Sequence, residues 1–546
     1  MPNTFNKIPT KDEEQSLTTY ADILAKWYIK KATLEYRKKR GQFFTPKRIS
    51  EFMVRQFENV NGKDNIKILD PGTGIGIFES AICELLISKG KVSRISFDLF
   101  ENDEKLLPLL SHNMNVCKKA MIRNKIQMSY KINVKDFILS NADIFNDRRK
   151  DFNSDLDGYD FVICNPPYYK LRKASAQATA MRELSKGQPN IYALFMALAA
   201  KLLKIGGQMT ILTPRSYCSG LYFRNFRIWF YKYIKPTKIH VFESRKDLFK
   251  RDNVIQEMLV FTGIKGFDNP PKVIISGSNG EFKSKSELMV RETNYKEVVI
   301  KNDDDVIIRI PESELDESIA AEFNKFKFSL VTLGMKVSTG PVVPFRSKKF
   351  LLKALGVGGN RDCYPLIWMQ NIRDGKVLWP HPVKNKPMAI KNGRGVEKLL
   401  IPNGNYVLIK RFSSKEGKRR IYAGVLLKKN LKSDYVGIEN HVNYISKLNG
   451  KLTEDEANGL ATLLNSKLYN RFFQMQNGNT QVSASEIYNI PLPSIEKITL
   501  VGGLCRRESI AGEVLGDTII RRILSIDKYV MDNLIFKQFK RKPNNN

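Results

Sequence analysis

Between residues 66 and 213 short apolar runs alternate with helical stretches, and this alternation narrows the possible folds more than any other feature of the chain. Ile66 to Leu69 reads as a strand ending at Asp70, followed by a glycine-rich turn and a helix from about Ile77 to Leu86. Arg94 to Phe100, Tyr130 to Val134, Tyr159 to Cys164 and Gly207 to Thr213 read as further strands, the last preceded by a helix over 190–204. Strands separated by helices pair in parallel and are covered on both faces. Lys238 to Phe242 and Gln256 to Thr262 then suit a terminal β-hairpin. The expected fold is α/β: a Rossmann-like, doubly wound, mostly parallel sheet with that hairpin at its end.

Upstream, the apolar positions Leu17, Tyr20, Ala21, Leu24, Trp27, Tyr28 and Leu34 predict one helix over 17–40, stopped by Gly41. Beyond about residue 300 the style changes. Glycine, proline and short β-like runs such as Tyr406 to Ile409 and Ile421 to Leu427 fill 331–445, and 454–475 reads as helical. The expected division is an N-terminal helical segment (1–45), the α/β domain (46–300), a second, mixed α/β domain (301–500), and a C-terminal helix with a basic tail (501–546).

Ninety Lys+Arg against 56 Asp+Glu leave a formal charge of +34. Such an excess points to a polyanionic partner, because basic groups displace the counterions condensed on phosphates. It is also localised: residues 336–432 hold 22 Lys+Arg against Asp362, Asp374, Glu397 and Glu416, a net +18. The six cysteines form no CxxC pair and the four histidines no ligand spacing, which argues for neither a metal site nor a disulfide framework. A reduced, cytoplasmic setting is expected. The N-terminus carries no apolar signal region, and no run approaches the ~18 apolar residues of a membrane span.

Four motifs stand at strand ends. Asp70-Pro71-Gly72-Thr73-Gly74-Ile75-Gly76 follows the first strand. Its alternate glycines let the backbone approach a ligand closely. They suit a compact turn under the amino-acid part of S-adenosylmethionine, although an ordinary tight βα turn accounts for them equally. Glu101, ending the second strand, is placed to accept two ribose hydroxyls, or is a solvated acid. Asp136-Phe137, after the third, offers a carboxylate and a ring to an adenine moiety, with Asp143 as a rival. Asn165-Pro166-Pro167-Tyr168 ends the fourth. Its prolines stiffen the turn and remove two backbone donors. The Asn165 side-chain oxygen and the Pro166 carbonyl can then take both hydrogens of one exocyclic NH₂, which makes a poor amine nucleophile attackable, and Tyr168 can stack on the base.

With these motifs the chain resembles the γ class of DNA adenine-N6 methyltransferases. Gly41-Gln42-Phe43-Phe44-Thr45-Pro46 precedes the glycine turn, which precedes Asn165 to Tyr168, which precedes the basic segment. The later half resembles restriction-modification methylases of the BsuBI/PstI type through Val337-Ser338-Thr339-Gly340, Lys410 to Glu416 and Asn479-Thr480-Gln481-Val482-Ser483. The resemblance implies a class I S-adenosylmethionine-dependent fold and a C-terminal DNA-recognition domain. It places Phe44, Thr45, Asp70, Gly72, Gly74, Glu101, Asp136, Phe137 and Asn165 around the cofactor, and Asn165, Pro166, Pro167 and Tyr168 at the reaction. Pro214 matches the family's strand-end proline.

On this reading the substrate is an adenine turned out of a short double-stranded DNA sequence, with no metal and no catalytic cysteine, Cys164 lying inside its strand. Phe249 is a candidate second clamp on the base, with a core phenylalanine as the alternative, and Arg411, Arg419 and Arg420 are candidate DNA contacts. The implied partners are DNA and a separate cognate restriction endonuclease; a monomer or weak dimer, not bound to membrane, is expected. RNA or a protein glutamine as substrate, or a non-catalytic DNA-binding subunit, are the competing readings.

Overall fold

A computed structural model describes residues 8–536 other than 59, 61–62, 90–91, 148–157, 185–188, 243–256, 279–288, 302–304, 354–362, 414–418, 478–480 and 508–512. The chain forms two compact units, Met1–Glu312 and Ser313–Asn546.

The first unit is built on a nine-stranded sheet: β1 (Asn65–Asp70), β2 (Arg94–Phe100), β3 (Gln127–Asn133), β4 (Tyr159–Cys164), β5 (Leu203–Pro214), β6 (Ile234–Phe242), β7 (Met258–Lys265), β8 (Lys272–Ser278) and β9 (Met289–Asn294). They lie in the order β3-β2-β1-β4-β5-β7-β6-β8-β9. β3 through β5 are parallel, whereas β7 runs antiparallel to both β5 and β6. The order reverses between β1 and β4, so the carboxyl ends of those strands open a crevice there. The expected hairpin is present, but β8 and β9 extend the sheet past it, so it is not the edge. Val273-Ile274-Ile275 was the available signal for β8.

Helices α1 (Leu17–Lys31), α2 (Leu34–Arg40), α3 (Lys47–Val54), α4 (Ile77–Lys89), α5 (Leu107–Arg123), α6 (Phe137–Asn146), α7 (Ala176–Ala180), α8 (Ile191–Leu202) and α9 (Arg224–Tyr233) accompany the sheet. The single helix expected over 17–40 is two. Ala32 is extended and Thr33 caps a new helix, its hydroxyl accepting from the Tyr36 N–H at 3.2 Å. Competition of this kind by a threonine oxygen is a physical reason for a break. α8 is buried nearly all round, with Lys201 folded in among its apolar residues, as its uninterrupted hydrophobicity requires.

The second unit carries a six-stranded sheet in the order Met335–Thr339, Val442–Lys447, Tyr406–Lys410, Ala423–Leu426, Lys376–Val377, Ile372–Arg373, and a separate five-stranded sheet. Helices Glu454–Asn465, Lys467–Gln476 and Ile495–Arg507 share a core with the six-stranded sheet. Residues 454–475, expected as one helix, are interrupted at Ser466, whose hydroxyl accepts from the Tyr469 N–H. Among the described residues no helix is long and apolar enough to cross a membrane.

Candidate active site

The turn after β1 is held from inside. Asp70 is fully buried, and its Oδ1 accepts from the Gly72 N–H at 2.9 Å. The Thr73 hydroxyl donates to the Asp70 carbonyl at 3.1 Å. Gly74 and Gly76 have φ of +61° and +82°, backbone that a side chain would strain. A Cβ on Gly76 would stand 3.1 Å from the Asn113 amide nitrogen. That amide donates to the carbonyls of Ile75 and Gly76 at 2.9 and 3.0 Å, which pins the loop.

Glu101 reaches the same loop from the end of β2. Its Oε2 accepts from the Gly74 N–H at 3.0 Å and its Oε1 from the Asp103 N–H at 2.7 Å. Burial pushes Glu101 up to about 7. It does the same to Asp70, also about 7, and lifts Glu79 on α4 still further. Asp103 goes the other way despite its burial: donors from Gln42, Tyr36, the Lys105 N–H and Tyr28 hold it below the usual carboxylate range. Those bonds, 2.7 Å from Gln42, 2.8 Å from Tyr36 and 3.0 Å from Tyr28, tie α1, α2 and the following segment to β2.

The Phe44-Thr45-Pro46 segment and the Asn-Pro-Pro-Tyr turn are joined directly. The Asn165 Nδ2 donates to the Phe43 carbonyl at 2.8 Å and to Thr45 Oγ1 at 3.0 Å. Gly41, at φ +67°, lets the two strips of chain touch: a Cβ there would lie 3.0 Å from Pro167 Cβ and 3.0 Å from the Tyr169 ring.

Phe44, Thr45, Gly72, Gly74, Glu101, Asp136, Phe137, Asn165 and Pro167 line one cavity. Asp70 lies beneath its floor. The cavity is thus lined from five separate stretches, four of cofactor candidates and a fifth holding Asn165 with Pro167 of the reaction motif. It adds Gln42, Phe43, Lys135, Tyr169 and, from α8, Phe195. Phe137 meets Phe100 edge-on at 5.1 Å and Phe195 at 5.2 Å, making one wall aromatic. Phe43 and Tyr169 adjoin recognised motifs and were within reach of sequence reasoning. Phe195 sits in a plain apolar helix and gave no signal.

Other motif residues lie away from the cavity or are already engaged. Tyr168 does not line the cavity. It is buried, its ring parallel to Phe43 at 6.2 Å, its hydroxyl donating to the Leu212 carbonyl at 2.9 Å and to Asn165 Oδ1. Tyr169 takes the lining position instead. Asp136 caps α6, accepting from the Leu139 N–H and from Gln177 Nε2, both at 2.9 Å, so each oxygen already has a protein donor. Asp143, its rival, is exposed on α6. Pro166 does not line the cavity either, and Pro214 ends β5 as expected. Cys164 is 1% exposed and burial pushes its thiol far up, which leaves no nucleophilic thiolate. Phe249 lies outside the described residues.

Of the three arginines, Arg411 is half-buried, its Nη1 donating to the Asn440 carbonyl at 2.6 Å. Arg419 is half-buried, and burial lowers it. Arg420 does not suit the role expected of it. It is 1% exposed, with its guanidinium donating to Ser413 O at 3.1 Å and Asn477 Oδ1 at 2.7 Å. A side chain held in this way braces its own unit and cannot meet a phosphate.

A parallel sheet with an inserted antiparallel seventh strand, a glycine turn after β1 and an acid ending β2 define a class I S-adenosylmethionine-dependent methyltransferase fold. Comparison with known proteins narrows this. The chain belongs to the type II restriction-modification methyltransferases. It is 34% identical over 471 residues to the type II methyltransferase M.BsuBI of Bacillus subtilis, covering 86% of this chain and 90% of that protein. It is 32% identical to M.PstI of Providencia stuartii, covering 85% and 88%. Residues 78–249 match the Eco57I restriction-modification methylase family. Among solved structures it is similar to the type IIG restriction endonuclease BpuSI, with 13% identity and a TM-score of 0.42 over 96% of this chain and 69% of that one.

Proposed function

We propose that this chain transfers a methyl group from S-adenosylmethionine to N6 of an adenine within a short double-stranded DNA sequence, as the modification partner of a separate restriction endonuclease. The observation that carries this reading is the position of Asn165 at the wall of the glycine-turn cavity, with its amide nitrogen engaged by Phe43 and Thr45. Its oxygen thereby faces the other way, where it accepts from the Tyr168 hydroxyl, the place an incoming amine would take.

The cavity fits the cofactor's two chemical ends. Its floor is bare backbone at Gly72 and Gly74, its side bears Glu101 for hydroxyl donors, and Phe100, Phe137 and Phe195 form an apolar wall for a purine. Phe44, Thr45, Asp136 and Asn165 complete the enclosure, and Asp70 fixes the turn from below. S-adenosylmethionine supplies an electrophilic methyl group there. The chain's own contribution is to position the amine, which is worth ~7–11 kcal/mol in well-oriented reactions, and to exclude water.

An adenine must leave the duplex to reach such a site, at a cost of about a few kcal/mol. Its N6 hydrogens are taken by Asn165 Oδ1 and the Pro166 carbonyl. For the base to stack on Tyr168, the phenol gives up its bonds to Asn165 and Leu212. Asn165→Ala should remove transfer, by about 10²-fold or more as for a lost preorganised polar group, while DNA binding is retained. Methyl transfer assayed on duplex DNA, RNA and protein tests the substrate class. Transfer to RNA or protein but not to DNA, or full activity of the alanine variant, would refute the reading.

A further inference from the structure

The three polar stretches that set the later half apart in sequence converge in the second unit. Strand Met335–Thr339 pairs with Val442–Lys447, and the Thr339 hydroxyl donates to Asn443 Oδ1 at 3.0 Å. The buried Asn443 amide donates in turn to the Val482 carbonyl at 3.0 Å. The Arg411 N–H donates to His441 O at 2.9 Å, the Val482 N–H donates to Arg411 O at 2.8 Å, and Phe412 bridges Gln481. One corner of the six-stranded sheet therefore presents Thr339, Arg411, Phe412, His441 and Gln481 together.

The corner is prepared for hydrogen bonding outward. His441 is 47% exposed, and its Nδ1 lies 2.6 Å from Oε1 of the wholly buried Glu439. The ring is set edge-on to Phe412 at 4.9 Å. Glu439 Oε1 lies close to Nδ1 without a hydrogen bond to it, and Nε2 has no protein partner among the described residues. Arg411 is anchored through Nη1 on Asn440 O, while Arg411 Nε, Ser413 Oγ and Asn440 Oδ1 are buried with no partner among the described residues. Buried polar groups are ordinarily paired, and each orphan costs about 1–3 kcal/mol. Burial raises Glu439 to about 7, opposed by the His441 backbone N–H and by the charges of Lys386 and Arg411; burial, Arg411 and Lys386 lower His441. Positive charge surrounds the corner, with Lys386 exposed and Lys410 adjoining.

We propose that this corner is a base-edge reading face for double-stranded DNA, with Arg411 and His441 determining which sequence is methylated. The inference rests on the chain's being a DNA methyltransferase. A planar guanidinium and an imidazole, set at strand ends, meet the donor and acceptor pattern of the major groove. Phosphate contacts alone would not require the guanidinium to be held so firmly.

The test is to express the chain in a host lacking adenine methylation and to sequence every methylated base, for the unsubstituted chain and for Arg411→Ala, Arg411→Lys, His441→Ala and His441→Gln. The Lys and Gln variants keep charge or polarity, and a melting profile like that of the unsubstituted chain separates reading from folding. The unsubstituted chain should mark one short sequence, and the variants should relax it at one or two positions. On a duplex carrying the original sequence, transfer should fall roughly 5- to 150-fold, the equivalent of about 1–3 kcal/mol per base contact. Variants that fold and mark the same sequence, or that lose transfer equally on every sequence, overturn the proposal. An unsubstituted chain that marks no DNA overturns the functional reading and this inference with it.

Discussion

Glu101→Gln isolates the electrostatics of the cofactor end. In the folded chain Glu101 is pushed up by burial to about 7. On the proposed function the cofactor's hydroxyls donate to its carboxylate, so cofactor affinity should weaken as pH falls through that value. About one-tenth is ionised at pH ~6 and about nine-tenths at pH ~8, so Kd should differ roughly ninefold, near 1.3 kcal/mol. The glutamine cannot ionise and should remove this component. It also sets an NH₂ against one of two backbone N–H groups, those of Gly74 and Asp103, which the carboxylate accepts at 3.0 and 2.7 Å. That mismatch costs about 1–3 kcal/mol. Calorimetric titration of both proteins with S-adenosylmethionine across this range is the assay. The ligand's own amino group titrates identically in the two series, so only the difference in slope matters. Parallel profiles would show that Glu101 neither titrates there nor touches the ligand.

Gly41→Ala should cost about 1–2 kcal/mol from its left-handed backbone alone, and more from the crowding against Pro167 and Tyr169 at 3.0 Å; unchanged melting and unchanged cofactor affinity would contradict the contact between the two strips. Asp70→Asn keeps an acceptor for the Gly72 N–H but removes a group that burial raises to about 7. A carboxyl whose folded value is raised contributes stability below its unfolded value, near 3.9, that is lost as pH rises through about 7. The variant's denaturation midpoint should therefore fall less between those limits than the parent's. Arg420→Ala should destabilise the second unit by about 2–4 kcal/mol, leaving the Asn477 and Ser413 acceptors unpaired, without altering the salt dependence of DNA binding; a flattened slope would place Arg420 on the DNA.

The legible parts of the site are those in which local chemistry and strand register coincide. Asp70, Glu101 and Asn165 each end a strand at the switch point of the sheet, so a strand assignment alone brings them together. Asp136 was found as a cavity residue for the same reason, while its role as the cap of α6 depends on the Leu139 N–H one turn later. The burial of Tyr168 was not legible: its hydroxyl is captured by the Leu212 carbonyl, 44 residues away on β5, and no pattern near the motif announces that. Arg420 failed similarly: among basic neighbours it reads as surface, yet Asn470 and Asn477 on and beside a later helix draw it inward. Phe195 needed the packing of α8 to become part of a wall.

The asymmetry of Asn165 ties the Phe43–Thr45 segment to the amine site of the proposed function. Two oxygens, Phe43 O and Thr45 Oγ1, converge on one side of its amide. Only an NH₂ satisfies both, so the nitrogen is fixed there and the oxygen must point away; the Tyr168 hydroxyl, a donor, sits on that opposite side. An ionised aspartate at this position would set a carboxylate oxygen against a carbonyl and repel the segment that encloses the cofactor. On the proposed function, the acceptor for the amine is aimed by the wall of the neighbouring cavity, and any change that loosens Phe43 or Thr45 should disorient it. Preorganised dipoles act in this way because their orientation is fixed before the substrate arrives.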